Sequence, residues 1–367
     1  MKAGDSRWKR FGAAMVLTLA SVTVQAEEVP RFEVEAAWPK QLPNDWILGQ
    51  IAGIAVDAND HIWVYQRPGT LTDEEQGAAT TPKRSKCCRP APPVLEFDAD
   101  GNLLRSWGGP GGGFEWPAVE HGISVSPNGN LWLGGNGKSD SQLLEFTPDG
   151  VFVRQIGRAG TATDSNDERT LNRPALAITD GVAGEIYVAD GYGNRRVLVL
   201  DSASGTYRRH WGAYGKRPAD ADPGPFDPDT PTATQFRTPV HCVRLSNDRL
   251  VYVCDRNNNR IQVFRPDGEY VTEFVIEPRT RGLFGAVFDI AFSTDAQQTY
   301  LFVADGANSE IHVVRRRDGA VLSHIGHGGR QSGQFHWLHV LAIDSRGNLY
   351  TGEVDTGKRV QKFRRLP

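Results

Sequence analysis

The sequence predicts an all-β fold, a six-bladed β-propeller, and three observations carry that prediction. A unit of four strands with alternating apolar and polar residues recurs six times along the chain, which is the period-two signal of sheet. Tight turns separate the strands, as at Pro127-Asn128-Gly129, Pro148-Asp149-Gly150, Pro266-Asp267-Gly268 and Ser345-Arg346-Gly347, where Gly supplies the positive φ a reversal needs. The composition, with 40 Gly and 22 Pro in 367 residues, disfavours long helices. A four-stranded sheet repeated six times must bury its faces against its neighbours, and a radial ring does so while leaving only short edges.

The elements follow in order. Lys2, Arg7, Lys9 and Arg10 precede an apolar run from Ala13 to Val24, and Val24-Gln25-Ala26 offers a small-residue cleavage site. That is the layout of a secretory signal peptide, and the apolar run is too short to span a bilayer. Residues 1–26 are read as the leader and residues 27–367 as a single propeller, giving an exported protein, secreted or periplasmic, with no membrane partner after cleavage. Losing four basic residues and Asp5 takes the net charge from −3 to −6, so no basic field exists to hold nucleic acid.

The repeats begin at Gly53, His121, Ala175, His241, Phe288 and His339. Arg359-Val360-Gln361-Lys362-Phe363 completes the last sheet, and N-terminal sequence is expected to add its outer strand and close the ring. Two long connections, Pro68 to Pro93 and Gly212 to Gln235, are of a size that shapes a binding mouth or serves as decoration, and both readings stay open. Symmetry about Asp248 sets Cys242 opposite Cys254 and permits a cross-strand disulfide. Adjacent Cys87 and Cys88 leave free thiols and a loop staple both open. None of the four cysteines has metal-site spacing.

Aligning the repeats on their first strand makes Ala52, His121, Pro174, His241, Phe288 and His339 equivalent. Histidine thus occupies the second, fourth and sixth copies. First strands line the channel of a propeller, so alternate blades would point three imidazoles at one place from directions ~120° apart. Three His ligands with an open position describe a catalytic zinc site. The remaining histidines, His61, His210, His312, His324, His327 and His336, lack this symmetry and are read as structural or surface residues. The loop after each second strand returns to the same mouth and brings Arg67, Tyr192 and Arg256. Two guanidiniums suit a small anionic or peptide-derived substrate with a carboxylate. A phenol near a divalent cation and arginines can serve as a base. Asp190, Asp255, Asp305 and Glu353 recur at the end of the second strand, which argues for structural acceptors of backbone N–H groups in the following turn.

These stretches resemble NHL-type repeats, and the chain from residue 27 onward is similar to the peptidyl-α-hydroxyglycine α-amidating lyase family. The resemblance rests on Leu48-Gly49-Gln50-Ile51-Ala52-Gly53 with Arg67, on His121-Gly122-Ile123-Ser124-Val125, and on Asp190-Gly191-Tyr192-Gly193-Asn194-Arg195-Arg196-Val197. It continues through Thr238-Pro239-Val240-His241, Asp255-Arg256, Arg260-Ile261-Gln262 and Phe335-His336-Trp337-Leu338-His339. It implies zinc on His121, His241 and His339, Tyr192 as base, and Arg67 and Arg256 on the substrate carboxylate. The implied reaction is carbon–nitrogen cleavage of an α-hydroxyglycine to an amide and glyoxylate. Val340 stands where the family's structural calcium site has Asp, so calcium is not carried over, and Trp337 replaces a Met beside the zinc. Two other functions fit the scaffold: a metal-dependent lactonase or esterase, which would use acidic and Asn ligands, and a noncatalytic NHL binding propeller.

Overall fold

The computed structural model describes residues 28–282 and 284–367 together with Met1 and Gly4. The leader and its cleavage site therefore lie outside the described residues, apart from those two positions. The described residues form six four-stranded antiparallel sheets and a short parallel pair, Trp46–Ile47 with Arg89–Pro90. Their helical content is three short 3-10 turns. No helix among them is long and apolar enough to cross a membrane.

The first strands are Gln50–Val56, Glu120–Val125, Leu176–Asp180, Val240–Leu245, Asp289–Phe292 and Leu338–Ile343. Each touches the next around the ring, and the last returns to the first, so the arrangement is a six-bladed propeller with these strands along the axis. Closure takes the expected form. Phe32–Val34 pairs antiparallel with Val360–Arg365 and becomes the outer strand of blade six, whose other strands come from the C-terminal end. Gly129 has φ 86°, which confirms the turn chemistry read from Pro127-Asn128-Gly129.

The expectation of half-buried strands holds for the outer strands and fails in the middle of each blade. Leu103–Trp107 and Tyr207–Trp211 vary in exposure, whereas Leu131–Gly135, Glu185–Asp190 and Val251–Asp255 are buried at every residue. Neighbouring blades cover both faces of these strands, so their polar positions are also interior. Buried polar groups must then find partners, and the recurrent acids do. Asp190 accepts from the Asn172 N–H, Asp255 from Arg237 and Glu353 from His336. These N–H groups belong to the segment entering the same blade. Asp190 and Asp255 also accept from the Asn194 and Asn258 side chains of the following turn, and Asp305, accepting from the Asn308 N–H, binds a backbone group of that turn as the sequence suggested.

Cys242 and Cys254 face each other in register and are joined by a disulfide, as are Cys87 and Cys88. The 68–93 connection is tied to blade six by Lys358, whose ammonium donates to the Thr70 carbonyl and to Glu75.

Candidate metal centre

His121, His241 and His339 are brought together as the repeat alignment required. Each is at most 3% exposed, and their ring centroids form a triangle 5.0 Å on every side. Interplanar angles of 79–89° give the trio a threefold look down the channel. A β-bulge interrupts the first strand at this level in blades one, two, four and six. Bulges re-aim a side chain without ending the ladder. At His121 the following residue is Gly122 with φ +71°, and a Cβ there would lie 2.1 Å from the Ala175 oxygen. Only Gly permits that approach.

The carbonyl of Ala175 is also what holds His121. Its Nδ1 lies 2.8 Å from Ala175 O, His339 Nδ1 lies 3.0 Å from Ile51 O, and His241 Nδ1 bonds Phe288 O. A carbonyl can only accept, so each Nδ1 carries the hydrogen and each Nε2 is left with its lone pair. The three Nε2 atoms face one another within 4.8 Å, and those of His241 and His339 are 3.2 Å apart. Burial first, and then the nearby Arg67 or Arg256 charge or a fellow histidine, holds all three imidazoles well below the usual His pKa. They are therefore neutral near pH 7, and opposed lone pairs with no proton between them repel. A cation removes that conflict. Bonds of ~2.0–2.1 Å in a tetrahedral shell imply ligand separations of ~3.3 Å, which the 3.2 Å spacing matches. The donor set fits a divalent transition metal such as zinc.

The three predicted residues of the mouth are also here. Tyr192 Oη lies 3.0 Å from His121 Nε2 and 3.4 Å from Arg256 Nη1. Arg67 is fixed by neutral acceptors: Glu120 O at 2.7 Å, Gln50 Oε1 at 2.9 Å and Asn136 Oδ1 at 3.4 Å. Arg256 is 7% exposed and stacks on Phe288 at 4.6 Å. Neither arginine forms an ion pair among the described residues, and burial pushes both guanidiniums below the ordinary arginine value. Both guanidiniums line one cavity of about 210 Å³, whose lining also includes Asp355.

Phe284 and Trp337, 5.2 Å apart, form an aromatic wall of that cavity. The repeat alignment did not single out Gln50, Asn136 or Phe284, because each arrives from a strand end or connection without a repeat counterpart of its own type. Of the two readings of the long connections, the lining favours the decorative one: it contains Arg67 at the edge of the first, and nothing from 68–93 or 212–235. The first connection is held by Lys358 of blade six and the second by the bond from the Tyr214 N–H to Gln262 in blade four.

Comparisons with known proteins agree with this architecture. The NHL repeat model matches residues 240–264. The chain is 25% identical over 345 residues to peptidyl-alpha-hydroxyglycine alpha-amidating lyase 1 of Drosophila melanogaster, covering 89% of this chain and 58% of that protein. It is 28% identical over 360 residues to NHL repeat-containing protein 3 of Mus musculus, covering 92% of this chain and 85% of that one. Among solved structures, a streptogramin B lyase shares the fold with a TM-score of 0.50 at 12% identity, over 92% of this chain and 98% of that one. The chain is thus a six-bladed β-propeller with an NHL-repeat match in its fourth blade. Within that class it resembles the peptidyl-α-hydroxyglycine α-amidating lyases across nearly its whole length, while spanning little more than half the length of the Drosophila lyase.

Proposed function

We propose that this protein is an exported metal-dependent lyase that cleaves the carbon–nitrogen bond of an α-hydroxyglycine-like anion to an amide and glyoxylate. One observation carries the reading: three imidazoles converge beside a phenol and two guanidiniums that form no ion pair among the described residues, all at one mouth. His121, His241 and His339 would hold the ion, zinc by the resemblance, and such an ion lends Lewis acidity to a substrate oxygen.

The chain's own residues do the rest. Arg67 and Arg256 bind the substrate carboxylate, which gives two buried guanidiniums the ion pair they do not make with the described residues. Tyr192, acting as the phenolate, takes the hydroxyl proton on its Oη. The oxygen's electron pair forms the aldehyde carbon–oxygen double bond, and the carbon–nitrogen pair leaves with the nitrogen. That nitrogen takes up the proton held at Tyr192 Oη, so atoms and charge balance. Phe284 and Trp337 supply an apolar wall for the group on the amide side and keep water from the reacting carbon.

The test has two parts. Purified protein is expected to hold an ion at this centre, measured by elemental analysis, and His121→Ala is expected to lose it. An α-hydroxyglycine model compound is expected to release glyoxylate with the parent chain only. A His121→Ala chain with the parent's metal content and turnover would overturn the reading. Turnover of a lactone with no glyoxylate from the model compound would place the protein among hydrolases.

A further inference from the structure

Blade five breaks a pattern that three other blades keep. In blades three, four and six the acid ending the second strand is clasped by an Arg at the head of the third. Arg196 holds Asp190 at 2.9 Å, Arg260 holds Asp255 at 2.7 Å and Arg359 holds Glu353 at 2.6 Å. Blade five retains the acid as Asp305, but the residue opposite it is Glu310, in the register that Arg196 and Arg260 occupy in their blades. No Arg or Lys among the described residues pairs with Asp305 or Glu310. Two carboxylates stand where the repeat elsewhere has one carboxylate and one cation.

Two histidines fill the space. His312, fully buried, lies on Glu310–Arg315 two residues beyond Glu310 and pairs across strands with His324 on Ala320–Ile325. His312 Nε2 is 2.9 Å from the Asp305 carboxylate, so that nitrogen carries the hydrogen and Nδ1 has the lone pair. A carboxylate behind a histidine is the arrangement that fixes a metal-ligating imidazole. The free Nδ1 faces His324 Nδ1 at 3.1 Å, and Glu310 Oε1 lies 3.3 Å from His324 Nδ1 and 3.8 Å from His312 Nδ1. These separations bracket the ~3.3 Å edge of a tetrahedral shell with bonds of ~2.0–2.1 Å. His324 has 45% of its side chain exposed, which gives an ion a path in and leaves a position for water.

We infer that Glu310, His312 and His324 form a second, peripheral site for a zinc-type divalent ion on the rim of blade five, with Asp305 positioning His312. The ion takes the place of the guanidinium clasp and ties the third and outer strands together. The similar group Asp57, His61 and Glu96 in blade one has no such vacancy of charge, because Arg105 already reaches Glu96 at 2.5 Å and Trp63 Nε1 donates to Asp57 at 3.1 Å. Nothing in the blade-five inference depends on the proposed reaction or on the central trio.

The experiment counts ions. The full chain is stripped with a chelator and titrated with Zn2+ alone in equilibrium dialysis, and bound metal is measured by elemental analysis. Glu310→Arg, which restores the charge pattern of the other blades, is expected to bind one ion fewer than the parent and to lose part of the rise in Tm that Zn2+ gives. Asp305→Asn is expected to keep the stoichiometry at saturation with affinity weakened roughly 10- to 100-fold. In a chain carrying His121→Ala, His241→Ala and His339→Ala together, one equivalent should remain and should vanish on adding Glu310→Arg. Where the triple change fails to fold, the comparison of parent with Glu310→Arg decides alone. An unchanged ion count in Glu310→Arg overturns the inference, whether or not the central trio binds metal.

Discussion

Arg256→Met separates a binding role from a structural one more sharply than any other single change. The guanidinium is 7% exposed, has no ion-pair partner among the described residues, and makes only 3.4 Å contacts with Asn257 Oδ1 and Tyr192 Oη. Its firmest neighbour is the Phe288 ring at 4.6 Å, a contact of about 2 kcal/mol when desolvated. Against that stands a burial penalty of several kcal/mol for an unpaired charge. Methionine is of similar length and recovers about 0.3–1.5 kcal/mol against the same rings. The folded protein is therefore expected to lose no stability, and a thermal melt should show Tm unchanged or raised. The substrate carboxylate, by contrast, loses a charge-assisted hydrogen bond of about 1.5–3 kcal/mol, or roughly 10- to 150-fold in kcat/KM. Glyoxylate release at a series of substrate concentrations measures it. A Tm lowered by many degrees with kcat/KM intact would mean that Arg256 holds the fold, and the anion site would have to be assigned elsewhere.

Three further outcomes are expected. Tyr192→Phe should lower kcat by about 10²- to 10⁴-fold and leave the metal content unchanged; undiminished kcat would remove Tyr192 as the base. His241→Ala should cost the central ion, because the remaining two imidazoles give too few protein ligands for a catalytic zinc, and elemental analysis reads this directly. Burial alone would raise the Glu185 pKa, but hydrogen bonds from Arg209, Tyr187 and Arg208 outweigh it and hold the carboxyl at about 2. The folded value is depressed, so the stabilisation is complete above the ordinary carboxyl range and fades as pH falls toward about 2. Arg209→Met should therefore shift the acid-unfolding midpoint to higher pH, followed by tryptophan fluorescence, while stability at pH 7 falls as well.

The ring, its closure by the N-terminal strand, the trio and the three mouth residues were legible because each leaves a side-chain signature at a repeat position. What was not legible depends on main chain or on partners from outside the repeat. The carbonyls of Ile51, Ala175 and Phe288 orient the imidazoles, yet any residue type supplies a carbonyl, so no letter in the sequence marks them. The acids at the ends of the second strands were rightly read as structural. Three of the four bind the incoming segment of their own blade, a contact that local turn reasoning does not reach. His312 and His324 were read as structural or surface histidines because their significance lies in a missing Arg. That absence shows only once the clasps of blades three, four and six are laid beside Asp305 and Glu310.

The alternation of histidine around the channel has a steric cause as well as a chemical one. Three imidazoles already stand with centroids 5.0 Å apart, so rings from all six blades at this level would overlap. The odd blades must present something that takes no space on the axis, and they do so with Ala52, Pro174 and Phe288, the last turned to pack against Arg256. The same three blades provide the carbonyls that hold the rings, at residues 51, 175 and 288, each bonding a histidine of the preceding even blade. One set of blades thus carries the ligands and the other fixes their tautomers and directions. This division makes the centre rigid before any ion arrives. It also makes an Ala52→His replacement an expected failure: the added ring would collide with the Nε2 cluster rather than join it. A chain that accepted the fourth imidazole with unchanged Tm and central metal content would show that the channel is wider than the 5.0 Å triangle allows.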